Sequence, residues 1–393
     1  MLFFRSKPKN KRVLIFHIGS GVIISAFVLL DGANDSVPEI KSAAVAPMPL
    51  MSEPDTQHLI STMLRTLKKS AEGMVSEKIG APDQIICFLG SPWYATQVRK
   101  VRMAKNAPFL VTEKIVRDMI KKESDLFDRE LLAPTRETNS ASVLVEREIN
   151  RFELNGYQTD NPYGKRVSEI GISLVFSVSS EQLISQIREV ISDSFHQKDI
   201  TFHTFGYAGT LATRNLFLSH NEFMFIDVSN EITDIVLVKD GSYVDTASFP
   251  AGTNTILRAL ATQMRVTPQE VQTMLSLYSL NKLEATWQVK LERALDPILA
   301  TWTRMFEETI SKLSQEFALP HTIALFTDPH MYGIIRQGIM NESFAKMALA
   351  PKTFTVVPLQ DMPWHSYVRQ GAHIHPGAII TTLMVAQKYS SQS

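Results

Sequence analysis

Phe223-Met224-Phe225-Ile226-Asp227-Val228-Ser229-Asn230-Glu231-Ile232-Thr233-Asp234, followed by Ile235 to Val238 and a turn at Asp240-Gly241, reads as strand, tight polar turn, strand. About 210 residues earlier the same pattern occurs. Val13-Leu14-Ile15-Phe16-His17-Ile18 leads into Gly19-Ser20-Gly21, and an apolar run continues from Val22 to Leu30. Apolar runs of this length, punctuated by small polar residues, are the signature of buried hairpin strands. One such hairpin opens each half of the chain, so the chain is expected to contain two related halves.

Around these hairpins the 393 residues are enough for two or three domains. Forty basic and forty acidic residues cancel, so no global field recruits nucleic acid or an anionic bilayer. The single cysteine, Cys87, lies in the apolar run Ile85 to Leu89, reads as a core thiol and forms no internal disulfide. Leu2-Phe3-Phe4 followed by Arg5, Lys7, Lys9, Lys11 and Arg12 allows an alternative reading of residues 1–30 as a signal anchor, with Ala44-Val45-Ala46 as a cleavage-like site. His17, Gly19-Ser20-Gly21 and Ser25 interrupt that stretch, which favours the hairpin.

Between the hairpins, 35–54 is rich in Pro, Ser and Ala and is expected to be a surface loop. Helical spacing appears at Leu59 to Leu67 and from Thr112 to Lys122, and Gln84 to Leu89 reads as a short buried strand. Residues 170–178 alternate cleanly, and Ser179 with Gln182 reads as a capping box opening a helix to Phe195. Residues 107–205 are therefore expected to be an inserted strand-and-helix subdomain. It divides a first half (1–106, with 206–222 returning to it) from a second half (223–393). In the second half, helices are expected at Thr253 to Met264, from Thr267-Pro268-Gln269-Glu270 onward, from about Glu284 to Phe317, and at Gly377 to Tyr389.

This order of elements resembles the actin/heat-shock-chaperone/sugar-kinase ATPases, and within them the bacterial FtsA and PilM branch. The resemblance implies an α/β fold with two ribonuclease-H-like halves facing a cleft and a small inserted α/β subdomain in the first half. It also implies a degenerate nucleotide cleft carried by Gly19, Ser20, Gly21, Asp227, Ser229, Thr233 and Gly252. In active members the first loop reads Asp-x-Gly-Ser/Thr and its Asp holds magnesium through water; here Gly19 and Ser20 match and His17 stands at the Asp position. The second loop normally follows its Asp with glycines. Here Asp227 is followed by Ser229, Asn230 and Glu231, and Glu231 is expected to carry negative charge toward phosphate oxygens. Asp328-Pro329 stands where the family has Gly-Gly near the adenosine.

The expectation is an assembly protein without ATP hydrolysis, no cofactor and no catalytic or metal-ligating residues. It would grip cytoplasmic tails of inner-membrane proteins in a type IV pilus platform or division machine, and homo-oligomers or filaments fit the family. Direct lipid contact is not expected, because the last helix carries only Lys388. The competing expectations are an ATPase that uses Asp227 with magnesium and ATP, and the membrane-anchored protein. His365, His373 and His375 lack a Cys or carboxylate at zinc-ligand spacing, and Ser20 and Ser91 lack His/Asp partners for a triad. Trp93-Tyr94 with Arg99, Lys100, Arg102 and Lys105 reads as a solvated basic face.

Overall fold

The computed structural model describes residues 10–31, 37–51, 55–132, 141–216, 221–340, 354–369 and 374–390. The first hairpin is β1 (Lys11–Ile18) and β2 (Val22–Leu30), with Val13 opposite Val28 and His17 opposite Ile24. β2 continues antiparallel to β3 (Glu39–Pro47); β1 runs parallel to β4 (Gln84–Leu89), and β4 to β9 (Ile200–Thr204). The sheet order is β3-β2-β1-β4-β9.

The second hairpin is β10 (Phe223–Val228) and β11 (Thr233–Lys239), flanked by β12 (Ser242–Phe249), β13 (Thr322–Thr327) and β14 (Thr355–Pro358). Its order, β12-β11-β10-β13-β14, repeats the first strand for strand, three antiparallel and then two parallel. The central strands are covered on both faces, which is why they read as continuous apolar runs rather than alternating ones.

Strand periodicity sorts β1 between two cores. Leu14, Phe16 and Ile18 face the outer layer, made by α1 (Thr56–Ser76) and α3 (Glu181–Phe195). Val13 and Ile15 face inward, onto α4 (Phe205–Leu216) and α9 (Pro376–Ser390). The second half does the same. Met224, Ile226 and Val228 meet α5 (Thr253–Met264), α6 (Pro268–Ser279), α7 (Ala285–Glu316) and α8 (Tyr332–Ile339), while Phe223 and Phe225 turn inward. One inner core thus joins the halves, with Phe205 touching both Phe225 and Phe326.

The inserted unit is a four-stranded antiparallel sheet, order β5-β8-β6-β7: β5 (Ala95–Leu110), β6 (Ser142–Leu154), β7 (Tyr157–Thr159) and β8 (Arg166–Ser180). One face is covered by α2 (Glu113–Leu132). These boundaries differ from the expected 107–205. The sheet starts at Ala95, whereas α3 and β9 pack on and pair with the first sheet. α4 does not simply return to the first half, because it also packs against β10 and β11. The presumed loop at 35–54 contains β3, and the α3 cap is Ser180, whose side chain accepts the Leu183 amide. Ser179 instead donates to the Trp93 carbonyl at 2.6 Å.

The signal-anchor reading fails for 11–30, which form the buried hairpin, and 1–9 lie outside the described residues. Among the described residues no helix is long and apolar enough to cross a membrane. The basic stretch lies on β5, where Arg99 pairs with Glu123 and Glu130 of α2, and Arg102 with Glu153 and Glu169.

Gly209 brings α4 down onto the second sheet, since a Cβ there would lie 2.2 Å from the Phe225 ring. Gly209→Ala is expected to destabilise the chain by about 1–3 kcal/mol. Urea unfolding measures this, and an unchanged midpoint would show that the inner core does not need the close approach.

Candidate functional site

The repeated topology places the two hairpin turns opposite each other at the ends of β1 and β10. His17 and Asp227 occupy corresponding positions, each one residue from the end of its strand. A cleft of about 340 Å³ opens beside them, lined by both turns, by Val45 to Leu50, by the start of α5 and by Phe326 to His330.

The second turn is fastened to α5. The carbonyls of Ser229 and Asn230 accept the amides of Thr253 and Asn254 at 2.9 and 2.8 Å, and the Thr255 amide goes to the Gly252 carbonyl at 3.2 Å. These are N–H groups that a helix N-terminus would otherwise present to an anion. Gly252 is required by this approach, because a Cβ there would lie 2.3 Å from the Ser229 carbonyl oxygen. Ser229 donates its hydroxyl to Ile232, and Thr233 donates to the Ala251 carbonyl at 2.6 Å, where the Trp302 indole also donates.

Glu231 does not carry charge toward a phosphate position, contrary to expectation. It accepts two hydrogen bonds from the Arg258 guanidinium, at 3.0 and 2.6 Å, and one from Asn254 Nδ2 at 2.8 Å. The Glu231 amide donates to Ser20 Oγ at 3.2 Å, and a Cβ on Gly21 would lie 2.2 Å from Asn230 Cγ. The two turns therefore touch directly. Gly19 is held from behind by the Trp93 indole, which donates to its carbonyl at 3.0 Å.

Deeper in, Asp227 and Asp234 lie directly opposite on β10 and β11. Ser91, after β4, donates to Asp234 across the interface at 2.5 Å. Ser91 thus has an Asp partner that sequence reasoning missed; among the described residues no histidine bonds to it, so the pair is a bridge and not a triad. Burial pushes the Asp234 carboxyl up to about 6, with the Ser91 hydrogen bond opposing. Burial, and then Asp234, raise Asp227 well above the carboxylate range, and its Oδ1 has no partner. His17 stacks on Phe205 at 4.0 Å; burial, and then His375, push it down to about 3, and its Nδ1 is also unpartnered. His375 Nδ1 accepts the Gly377 amide at 3.0 Å, at the start of α9, while His373 lies outside the described residues. His17 stands where a hydrated magnesium ion would need a hard carboxylate oxygen, and a neutral imidazole does not supply one.

Sequence reasoning also missed a cluster of Glu146, Glu148 and His203, whose ligating atoms lie within 4.8 Å of one another. Glu146 takes His203 Nδ1 at 2.9 Å and the Thr204 hydroxyl at 2.7 Å, and Lys388 of α9 bonds Glu148. The ammonium supplies the cation, so the cluster ties α9 to the inserted sheet. Glu146 and Glu148, two apart on a strand, were the available signal; the distant His203 and Lys388 were not.

Two sheets of identical order facing a cleft, joined by an inner core, decide the fold. The chain has the actin-like ATPase fold. PilM from a PilM-PilN type IV pilus biogenesis complex matches with a TM-score of 0.62 and 12% identity, over 96% of this chain and 98% of that one. EutJ, an ethanolamine utilization protein from Carboxydothermus hydrogenoformans, gives 0.46 and 11% over 96% and 91% of the two chains. A Bacteroides thetaiotaomicron protein with an actin-like ATPase fold and unknown function gives 0.39 and 9% over 91% and 94%. No protein-family model and no curated protein matches the chain.

Two predictions follow from this chemistry. Arg258→Ala leaves a nearly buried Glu231 carboxylate without its partner and is expected to cost about 3 kcal/mol in urea unfolding, most of it recovered in Arg258→Ala/Glu231→Gln. The second concerns pH. With Asp234 held near 6, the folded chain keeps a proton that the unfolded chain has released, so this group's contribution to stability rises as pH falls through 6. His17, held near 3, acts in the opposite direction below its ordinary pKa, so the test must be a difference. The stability of wild type relative to Asp234→Asn should grow between roughly pH 7 and pH 5; a flat or shrinking difference contradicts the assignment.

Proposed function

We propose that the protein is a binding and assembly component that captures a short tail of a membrane protein on its inserted subdomain and does not hydrolyse ATP. The observation that carries this reading is the edge of β6. β7 pairs only with Phe152 to Leu154, and along Ser142 to Arg151 the paired strand among the described residues is β8. Beside this stretch, a groove of about 530 Å³ runs between β6 and α2. Ile149 and Tyr163 stand in it 43% and 42% exposed, next to Arg117, Lys121 and Arg147 on one hand and Glu113, Asp125 and Asp128 on the other. An open strand edge with apolar footholds is what an extended peptide needs to add a strand and seat alternate side chains.

The PilM-like fold supports a place in a type IV pilus platform, with a division machine as the competing assignment. In this reading the chain sits at the inner face of the membrane and reaches it through its partner. Loss of hydrolysis is supported by the occupied amides of α5 and by the contact between the turns.

The test uses labelled peptides for the N-terminal cytoplasmic segments of inner-membrane pilus and division proteins from the same genome. One segment is expected to bind the full chain, and Ile149→Asp to weaken it by roughly tenfold, about 1.4 kcal/mol. Val289→Asp, at an exposed position of α7, should leave binding unchanged. Magnesium-ATP binding with phosphate release, or an Ile149→Asp variant that binds every segment as wild type does, overturns the proposal.

A further inference from the structure

The cleft retains two buried, unpartnered polar atoms that the sealed turns do not explain. His17 and Asp227 are 6% and 3% exposed, and His17 Nδ1 and Asp227 Oδ1 have no hydrogen-bond partner although both residues line the cleft. A buried polar group without a partner costs about 1–3 kcal/mol, and native chains rarely keep two in one cleft without a use.

The rest of the lining narrows what fits. No lysine or arginine is among the described residues around the cleft, whereas Asp227 and Asp328 are. An anion would find no cationic side chain, and the α5 amides are already taken by Ser229 and Asn230. The opposite wall is apolar, formed by Ile24, Val45, Pro47, Met48 and Leu50. A neutral imidazole nitrogen and a carboxylate oxygen can both accept hydrogen bonds. Together they call for a ligand rich in donors, positively charged at one end and aliphatic behind it.

We propose that the cleft is a binding site for an alkyl ammonium or alkyl guanidinium, with Asp227 as counter-ion, His17 Nδ1 as second acceptor, and the aliphatic stem along Ile24, Met48 and Leu50. A free amine and a Lys or Arg side chain of a polypeptide share this chemistry, and the test below distinguishes them. A fixed positive charge favours the ionised form of Asp227 and offsets the burial that now opposes it. The groups facing the pair are Asp234 from β11, His375 from the start of α9, Tyr94 before β5, and Asp328 and His330 beyond β13. This site is separate from the β6 groove, so it stands or fails independently of tail capture.

Calorimetry on the full chain tests it with agmatine, cadaverine and the neutral 1-pentanol. Agmatine and cadaverine are expected to bind and 1-pentanol not to. Asp227→Asn should weaken agmatine at least tenfold while keeping the wild-type circular dichroism spectrum. Because that variant could unfold, Leu50→Trp is the second probe: Leu50 is only half-buried, and the indole should fill the stem channel and also abolish binding. Agmatine binding equally well to Asp227→Asn, no amine binding to wild type, or magnesium chloride or ADP displacing agmatine at lower concentration would each overturn the proposal. N-acetyl-Gly-Arg-Gly-amide competing more strongly than agmatine supports the site with a polypeptide as its source, and the reverse order supports it with a free amine.

Discussion

The turn between β10 and β11 is bound to the start of α5 by two backbone hydrogen bonds, and much of the molecule's character depends on that attachment. Carbonyls of Ser229 and Asn230 occupy the amides of Thr253 and Asn254. With the carbonyls directed at the helix, Glu231 lies along α5, where Arg258 and Asn254 hold it, and its amide is free to reach Ser20 in the other half. A glycine-rich turn would have no side chains to anchor in this way. Here Ser229, Asn230 and Glu231 hold the turn in place, and the two turns approach each other.

Contact between the turns matters because the halves share a core. Phe205 meets Phe225 and Phe326, and α9 crosses from the second half to lie on β1 and β2. Rotation of one half against the other would open that core as well as break the Ser20, Ser91 and Asn150 bridges. Apolar burial is worth about 25 cal/mol per Å², so about 60 Å² of it already matches a polar bridge worth about 1.5 kcal/mol. The bridges therefore set the register between the halves, while the core supplies the adhesion. On the far side, Asn150 performs the same service for the inserted sheet by exchanging two hydrogen bonds with the Tyr243 backbone.

The parts of this architecture that were legible in sequence are those where burial dominates. β1, β2, β10 and β11 are covered on both faces, so their composition alone reveals them, and the capped helices α5 and α6 announce their starts through Gly252 and Thr267. β3 was missed because it is an edge strand of Lys, Ser and Ala with a terminal Pro, which local chemistry cannot distinguish from a loop. β5 was missed because Arg99 and Arg102 interrupt its apolar alternation, and their partners on α2 and β8 are remote in sequence. At the cleft, the unusual identities of His17 and Glu231 were visible, but their consequences were not. Where the Glu231 charge goes depends on Arg258, and what the Ser20 hydroxyl does depends on a residue 211 positions away.

What remains is why a cleft persists once its turns have closed. Its dimensions are set by strand spacing and by the placement of α5 and β13, which the outer cores fix independently of any ligand. Its chemistry is set by a handful of side chains at strand ends, where His17 and Asp227 are related by the repeat. Packing alone would favour apolar residues at both positions, since each is buried against aromatic neighbours or a second carboxylate. The chain instead carries an imidazole and a carboxyl there, each with an atom left unpaired. Folding does not account for that expense, and a donor-rich occupant does.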